Sequence, residues 1–383
     1  MELAVRITQC RSMDGCTWSP ALPEVSEPAV QLVLVFGSRR RLGERAWLET
    51  VMKTYPAAIL FGCSTAGEIL DTNVCDDTLV LTAVHFEHTR VRLARIQTGD
   101  HGSSREAGQA LASMLDPDGL SHVLVLSDGL AVNGSELVDG LRSGLPADVA
   151  LTGGLSADGA RFAETLVVAD GPAASGQVAA LGLYGDHLRI GYGSLGGWDP
   201  FGPERVITRS HGNKLYELDG RSALDLYTTY LGEHAAGLPA TGLLFPLSLR
   251  SDDNARGVVR SVLRVNAEER SMTFAGDMPE GSYARLMRAN FERLIDGATG
   301  AARASAMAFA PNTAELAILI SCVGRKLVLK QRIEEEVEGV REVLGPHTAL
   351  TGFYSYGEIS PFTPSARCEL HNQTMTITTF AEV

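Results

Sequence analysis

The sequence predicts an α/β protein of mixed β-sheets flanked by helices, arranged as two related halves. Three observations predict it. Short apolar runs alternate with helix-period segments, a strand–helix–strand unit recurs three times, and two of its turns match without a gap.

The first unit opens with residues 32–36 (LVLVF), a short apolar run and hence a buried strand. Leu48, Val51, Met52 and Tyr55 follow at helical spacing, which predicts one apolar helix face stopped by Pro56. A strand over 58–61 then delivers the turn 62–69 (GCSTAGEI), and strands are expected over 78–86 and 90–96. In the second unit, the strand 122–126 leads to a helix near 135–141 and to residues 150–159 (ALTGGLSADG). Strands are expected there around 165–168 and 178–184. The third unit has a strand over 316–320 and a helix lined by Ile333, Val337, Val340 and Leu344. Its turn is 352–359 (GFYSYGEI), and 375–380 closes the chain as a strand.

The first and third turns align, with Gly62, Gly67, Glu68 and Ile69 against Gly352, Gly357, Glu358 and Ile359. Between the second and third units lies a different stretch. Dense glycines over 182–202 predict turns or bulges, and Ser222 with Asp225 forms a capping box ahead of Leu224, Tyr227 and Leu231. The small, polar, proline-containing residues 233–242 are the expected linker between an N-terminal domain, 1–232, and a C-terminal domain, 243–383.

Composition narrows the function. At 383 residues two domains are the default, and 45% hydrophobic with 21% charged residues is the balance of a folded protein. The net charge of −13 argues against non-specific nucleic-acid binding, which runs on phosphate neutralisation. The arginines at 39–41 read as a solvated face. No apolar run approaches the roughly 20 residues that cross a bilayer, so no membrane span and a cytoplasmic location are expected. The six scattered cysteines include no C-x-x-C pair, which removes a zinc ribbon or thioredoxin-like motif.

The glycine-bracketed turns are the candidate ligand site. Glycines after a strand permit close backbone approach, and exposed N–H groups in such turns bind anions. Glu68 and Glu358 are placed to receive a ligand ammonium, with Ser64, Thr65, Ser355 and Tyr356 orienting polar groups. Gly62, Cys63, Gly67, Tyr354 and Gly357 complete the set, and Asp277 and Arg288 are added from the strand-to-helix passage 276–288. The alternative is a structural turn whose glutamate caps backbone amides, with Asp277 and Arg288 in a surface salt bridge. Catalysis is not expected: residues 62–67 miss the G-x-S-x-G elbow by one residue, and nothing supplies a base to Cys63 as the nucleophile of a thiol hydrolase.

At residues 62–69, 153–158, 212–213, 216–220, 274–277, 352–359 and 370–374 the chain resembles the FIST family, with FIST N and FIST C domains in tandem. The resemblance implies a ligand-sensing module of signal transduction. No output domain follows in this sequence, so it also implies a partner on a separate polypeptide, such as a histidine kinase or a cyclic-dinucleotide enzyme. The free-standing layout is similar to the NosP-type members, which are described as binding haem and reporting nitric oxide to a kinase. Haem b is the cofactor that likeness offers, with His371 or His211 as the axial ligand; structural histidines are the alternative.

Overall fold

The computed structural model describes residues 5–23, 29–250, 257–309, 314–362 and 366–383. The α/β class holds, with mixed sheets and flanking helices. Each of the three units supplies four strands in the same spatial order. In the first the order is Ile59–Ser64, Leu32–Gly37, Leu79–Phe86 and Val5–Ser12. In the second it is Ala150–Leu155, Leu120–Ser127, Gln177–Tyr184 and Arg90–Gln97, and in the third Ala349–Ser355, Leu316–Cys322, Met375–Glu382 and Leu188–Leu195. The first two strands of each series are parallel and joined through helices, as a right-handed crossover requires; the remaining pairs are antiparallel.

Each unit then hands a short arm to a neighbour. Glu68–Leu70 pairs with Ala349–Ser355, Gly357–Pro361 pairs with Ala150–Leu155, and Val167–Ala169 pairs with Ile59–Ser64. The exchange is cyclic, so the three units close into a ring. Backbone hydrogen bonds repeat the pattern where the arms depart. The N–H of Ala66 donates to the carbonyl of Tyr354 (2.8 Å), that of Ala157 to Ser64 (2.8 Å) and that of Tyr356 to Leu155 (3.2 Å).

Glycine marks the same rung in all three parallel ladders. Gly62 lies opposite Val35, Gly153 opposite Val125 and Gly352 opposite Leu319. A Cβ on any of them would collide with the facing carbonyl oxygen. Close packing of strand on strand, and not turn formation, is what these positions require.

Leu48, Val51 and Tyr55 are buried at and beyond the helix Ala46–Thr54, but Met52 is 50% exposed and stands off that face. Ile333, Val337, Val340 and Leu344 all face inward from Ile333–Leu344. Ser222 caps Ala223–Leu231 as expected, its hydroxyl accepting from the Asp225 N–H at 3.3 Å. Two expectations for the middle of the chain are corrected. Gly191 and Gly193 lie inside the strand Leu188–Leu195, where a Cβ would strike the Ser305 and Ala301 carbonyls of the helix Phe291–Ala306. Residues 276–288 contain no helix; they form a loop running into the strand Tyr283–Ala289, and the helix starts only at Phe291.

Residues between Leu188–Leu195 and Phe291–Ala306 build a separate antiparallel layer of eight strands among the described residues, seven in succession from Val258–Arg260 to Val262–Asn266 and Arg221–Ser222 paired beside Lys214–Leu218. The helix Ala223–Leu231 packs on it, with Leu215, Tyr227, Met272 and Phe274 in its own core. Residues 232–244 form two 3-10 segments tied back to this layer by the Tyr227 hydroxyl, which donates to the carbonyls of Gly242 and Phe245. No helix among the described residues is long and apolar enough to cross a membrane.

Candidate functional site

Two carboxylates are buried in matching surroundings at the first and third corners. Glu68 accepts from the Thr65 hydroxyl at one oxygen, and at the other from the N–H (3.2 Å) and hydroxyl (2.7 Å) of Thr78. Glu358 accepts from the Ser355 hydroxyl, and from the N–H (3.2 Å) and hydroxyl (3.0 Å) of Thr374. Burial pushes Glu68 up to about 7 and Glu358 up to about 8, against the pull of those hydrogen bonds. The reading of a glutamate that caps local donors therefore describes both.

Among the described residues, the Glu68 corner lines a cavity, whereas Glu358 lines none of those described. Thr65, Ala66, Gly67 and Glu68 wall a cleft of about 500 Å3, closed on its other sides by residues 38–40, Asp76, Asp77, Gly159 and Arg161. It lies beyond the C-terminal ends of the parallel strands Leu32–Gly37 and Ile59–Ser64, where open α/β sheets hold their ligands. The first and second units line it. Lys326 of the third unit donates to the Ala66 carbonyl (2.8 Å) and pairs with Asp76. Asp158 of the second accepts from the N–H groups of Phe162, Ala163 and Glu164, which fixes the segment that carries Arg161. Arg39 pairs with Glu164 and Arg40 with Asp77, whereas Arg161 has no ion pair among the described residues.

The expectation that both corners open on a cavity is corrected. Glu358, Ser355, Tyr354 and Tyr356 are all within 1% of full burial. The Tyr354 hydroxyl donates to Glu336 (2.7 Å), and that of Tyr356 donates to Asp158 while its ring stacks on Phe162. Gly357 lies in the strand Gly357–Pro361. The antiparallel layer supplies the cover: Gln373 donates to the Leu243 carbonyl (3.0 Å) and the Ser261 hydroxyl (2.8 Å), and Asn372 donates to the Tyr356 carbonyl (3.0 Å).

The other candidates separate. Gly62 and Cys63 sit in the strand Ile59–Ser64; Cys63 is fully buried, and desolvation raises its thiol well above the usual range. Ser64 accepts from the Leu166 N–H at 2.9 Å, a structural contact. Asp277 and Arg288 do not pair. Asp277 accepts from the Asn133 side chain and lines a cavity of about 280 Å3, while Arg288 borders a different one.

The two histidine candidates stand apart from the cavities named above. The His371 ring, buried against Phe362, is held through Nε2 to the Ser360 carbonyl (2.7 Å), and it lines none of the cavities described. His211 is exposed at the end of the strand Trp198–His211. Missed in the sequence were the lining residues Ser38, Arg39, Arg40, Asp76, Asp77 and Arg161, and Lys326 bonded to Ala66. The signal for the first three was their place directly after the first parallel strand.

The FIST N domain matches residues 31–221, and the FIST C domain matches residues 223–361. This chain belongs to the FIST family. FIST domains are small-ligand-sensing modules of signal transduction. No curated protein matches the chain. Among solved structures, a cyanuric acid hydrolase from A. caulinodans is similar over 100% of this FIST protein and 99% of its own chain, at 8% identity and a TM-score of 0.37. A chorismatase is similar over the same shares at 10% identity and a TM-score of 0.34. Likeness at this level carries neither reaction across to the FIST chain.

Proposed function

We propose that this FIST protein senses a small polar ligand in the cleft beside Glu68 and passes the event to a separate signalling protein, such as a histidine kinase or a cyclic-dinucleotide enzyme, without catalysing a reaction. The observation that carries the proposal is the opening of one glycine–glutamate corner onto a 500 Å3 cleft lined by the first and second units, with Lys326 of the third hydrogen-bonded to the lining residue Ala66. A ligand there touches the first and second units at once, so its binding free energy is able to favour one packing of the units over another.

The lining defines the chemistry. Arg161, with no ion pair among the described residues, offers a cation to an anionic group, and Glu68 offers an acid to a cationic one, while Asp76 and Asp77 are paired with Lys326 and Arg40. A carboxylate has about four lone-pair sites, and Glu68 uses three on local donors, which leaves one for a ligand. A zwitterion of modest size meets both demands. The non-enzymatic reading is supported by Cys63, whose buried thiol has neither a base nor access to the cleft.

Native mass spectrometry of freshly purified protein, followed by titration with the released small molecule, tests the reading. A bound mass that disappears in both Arg161→Ala and Glu68→Gln supports it. Retention of that mass in both variants, or bare protein that no zwitterion stabilises against heat, overturns it.

A further inference from the structure

A second cleft of about 500 Å3 lies between the antiparallel layer and the third unit, and nothing in the zwitterion reading uses it. Its floor is apolar, made by Leu244, Phe245, Phe291, Leu327 and Leu329. Phe291 is 44% exposed at the first position of its helix. The rim is basic. Arg288 stands on one side, and Lys330 and Arg332 on the other. Arg332 also spans Glu292 and Glu335 with its guanidinium 5.8 Å from the Phe291 ring centre; Lys330 has no ion pair among the described residues.

On a chain with a net charge of −13, an apolar floor with a cationic rim selects strongly for one kind of occupant. We infer that this cleft binds an amphiphilic anion: an acyl chain of roughly ten carbons on the apolar floor, with its carboxylate at Arg288 and Lys330. A neutral apolar molecule would leave the rim unused, and a short polar anion would leave the floor wet. The wall formed by Leu327, Val328 and Leu329 belongs to the helix Val323–Leu329, which also carries Lys326, hydrogen-bonded to Ala66 of the first cleft.

Calorimetric titration of the full chain with sodium decanoate, sodium hexanoate and decan-1-ol tests the assignment. Decanoate is expected to bind. Hexanoate, four methylenes shorter, is expected to bind about a hundredfold more weakly, and decan-1-ol about tenfold more weakly for lack of the charge. Leu327→Glu places a carboxylate against the chain and is expected to weaken decanoate by about tenfold or more. The exposed pair Arg288→Glu and Lys330→Glu does the same by reversing the rim, and serves if Leu327→Glu unfolds. The assignment is overturned by no heat from decanoate up to about 1 mM, by equal affinity for decan-1-ol, or by undiminished decanoate binding in the folded variants.

Discussion

Replacing Glu68 by Gln isolates a buried acid whose protonation is coupled to folding. In the folded chain its pKa is raised to about 7 from an ordinary 4.5, because burial disfavours the carboxylate more than Thr65 and Thr78 compensate. The folded state therefore holds this proton more tightly than the unfolded state. The stability it contributes is fully present below about pH 4.5 and is lost as pH rises to about 7, beyond which the curve is flat. The interval corresponds to about 3 kcal/mol at roughly 1.4 kcal/mol per pH unit. Glu358 acts with the same sign, so the wild type alone cannot separate the two. The difference between wild type and Glu68→Gln can. Urea unfolding followed by tryptophan fluorescence at pH 4.5, 6, 7 and 8 should show the wild type losing as much as about 3 kcal/mol relative to the variant, nearly all of it below pH 7.5. A difference that does not change with pH would refute the burial argument. Binding of a cationic group beside Glu68 should run the other way, tightening as pH rises through about 7.

Arg325→Leu leaves Glu336 charged and fully buried, facing only the Ser321 and Tyr354 hydroxyls; denaturant titration should show a loss of about 3–5 kcal/mol, and Arg325→Leu with Glu336→Met should recover most of it. Gly352→Ala drives a methyl into the Leu319 carbonyl and should abolish soluble expression, while Gly43→Ala, with nothing within 4 Å, should leave the melting temperature unchanged or higher. Brief treatment with iodoacetamide, read by peptide mass spectrometry, should label the exposed Cys16 and spare Cys63; prompt labelling of Cys63 would reopen the thiol-hydrolase reading.

The repeat was legible because each unit writes the same physics into sequence: an apolar strand, an amphipathic helix, and a glycine where two strands press together. Residues 62–69 and 352–359 matched for that reason, and they do build equivalent corners. What distinguishes the two corners is supplied from elsewhere in the chain. Ser261, Leu243 and Gln373 close one, and no pattern within 352–359 encodes their arrival. The open cleft was only half visible for the same reason. Arg161 reaches it from the second unit, Lys326 of the third holds the Ala66 carbonyl, and Arg39 and Arg40 looked like ordinary surface charge until their neighbours were known. Asp277 and Arg288 are close in sequence but point into different cavities, because the loop before Tyr283–Ala289 turns between them.

The circular exchange of arms has a consequence for how such a molecule is inherited and re-used. Each third lends an edge strand to one neighbour and borrows one from the other, so excising either half exposes bare sheet edges on both fragments. The ring can travel between larger architectures only as an indivisible cassette, joined to new partners through its ends or surface loops.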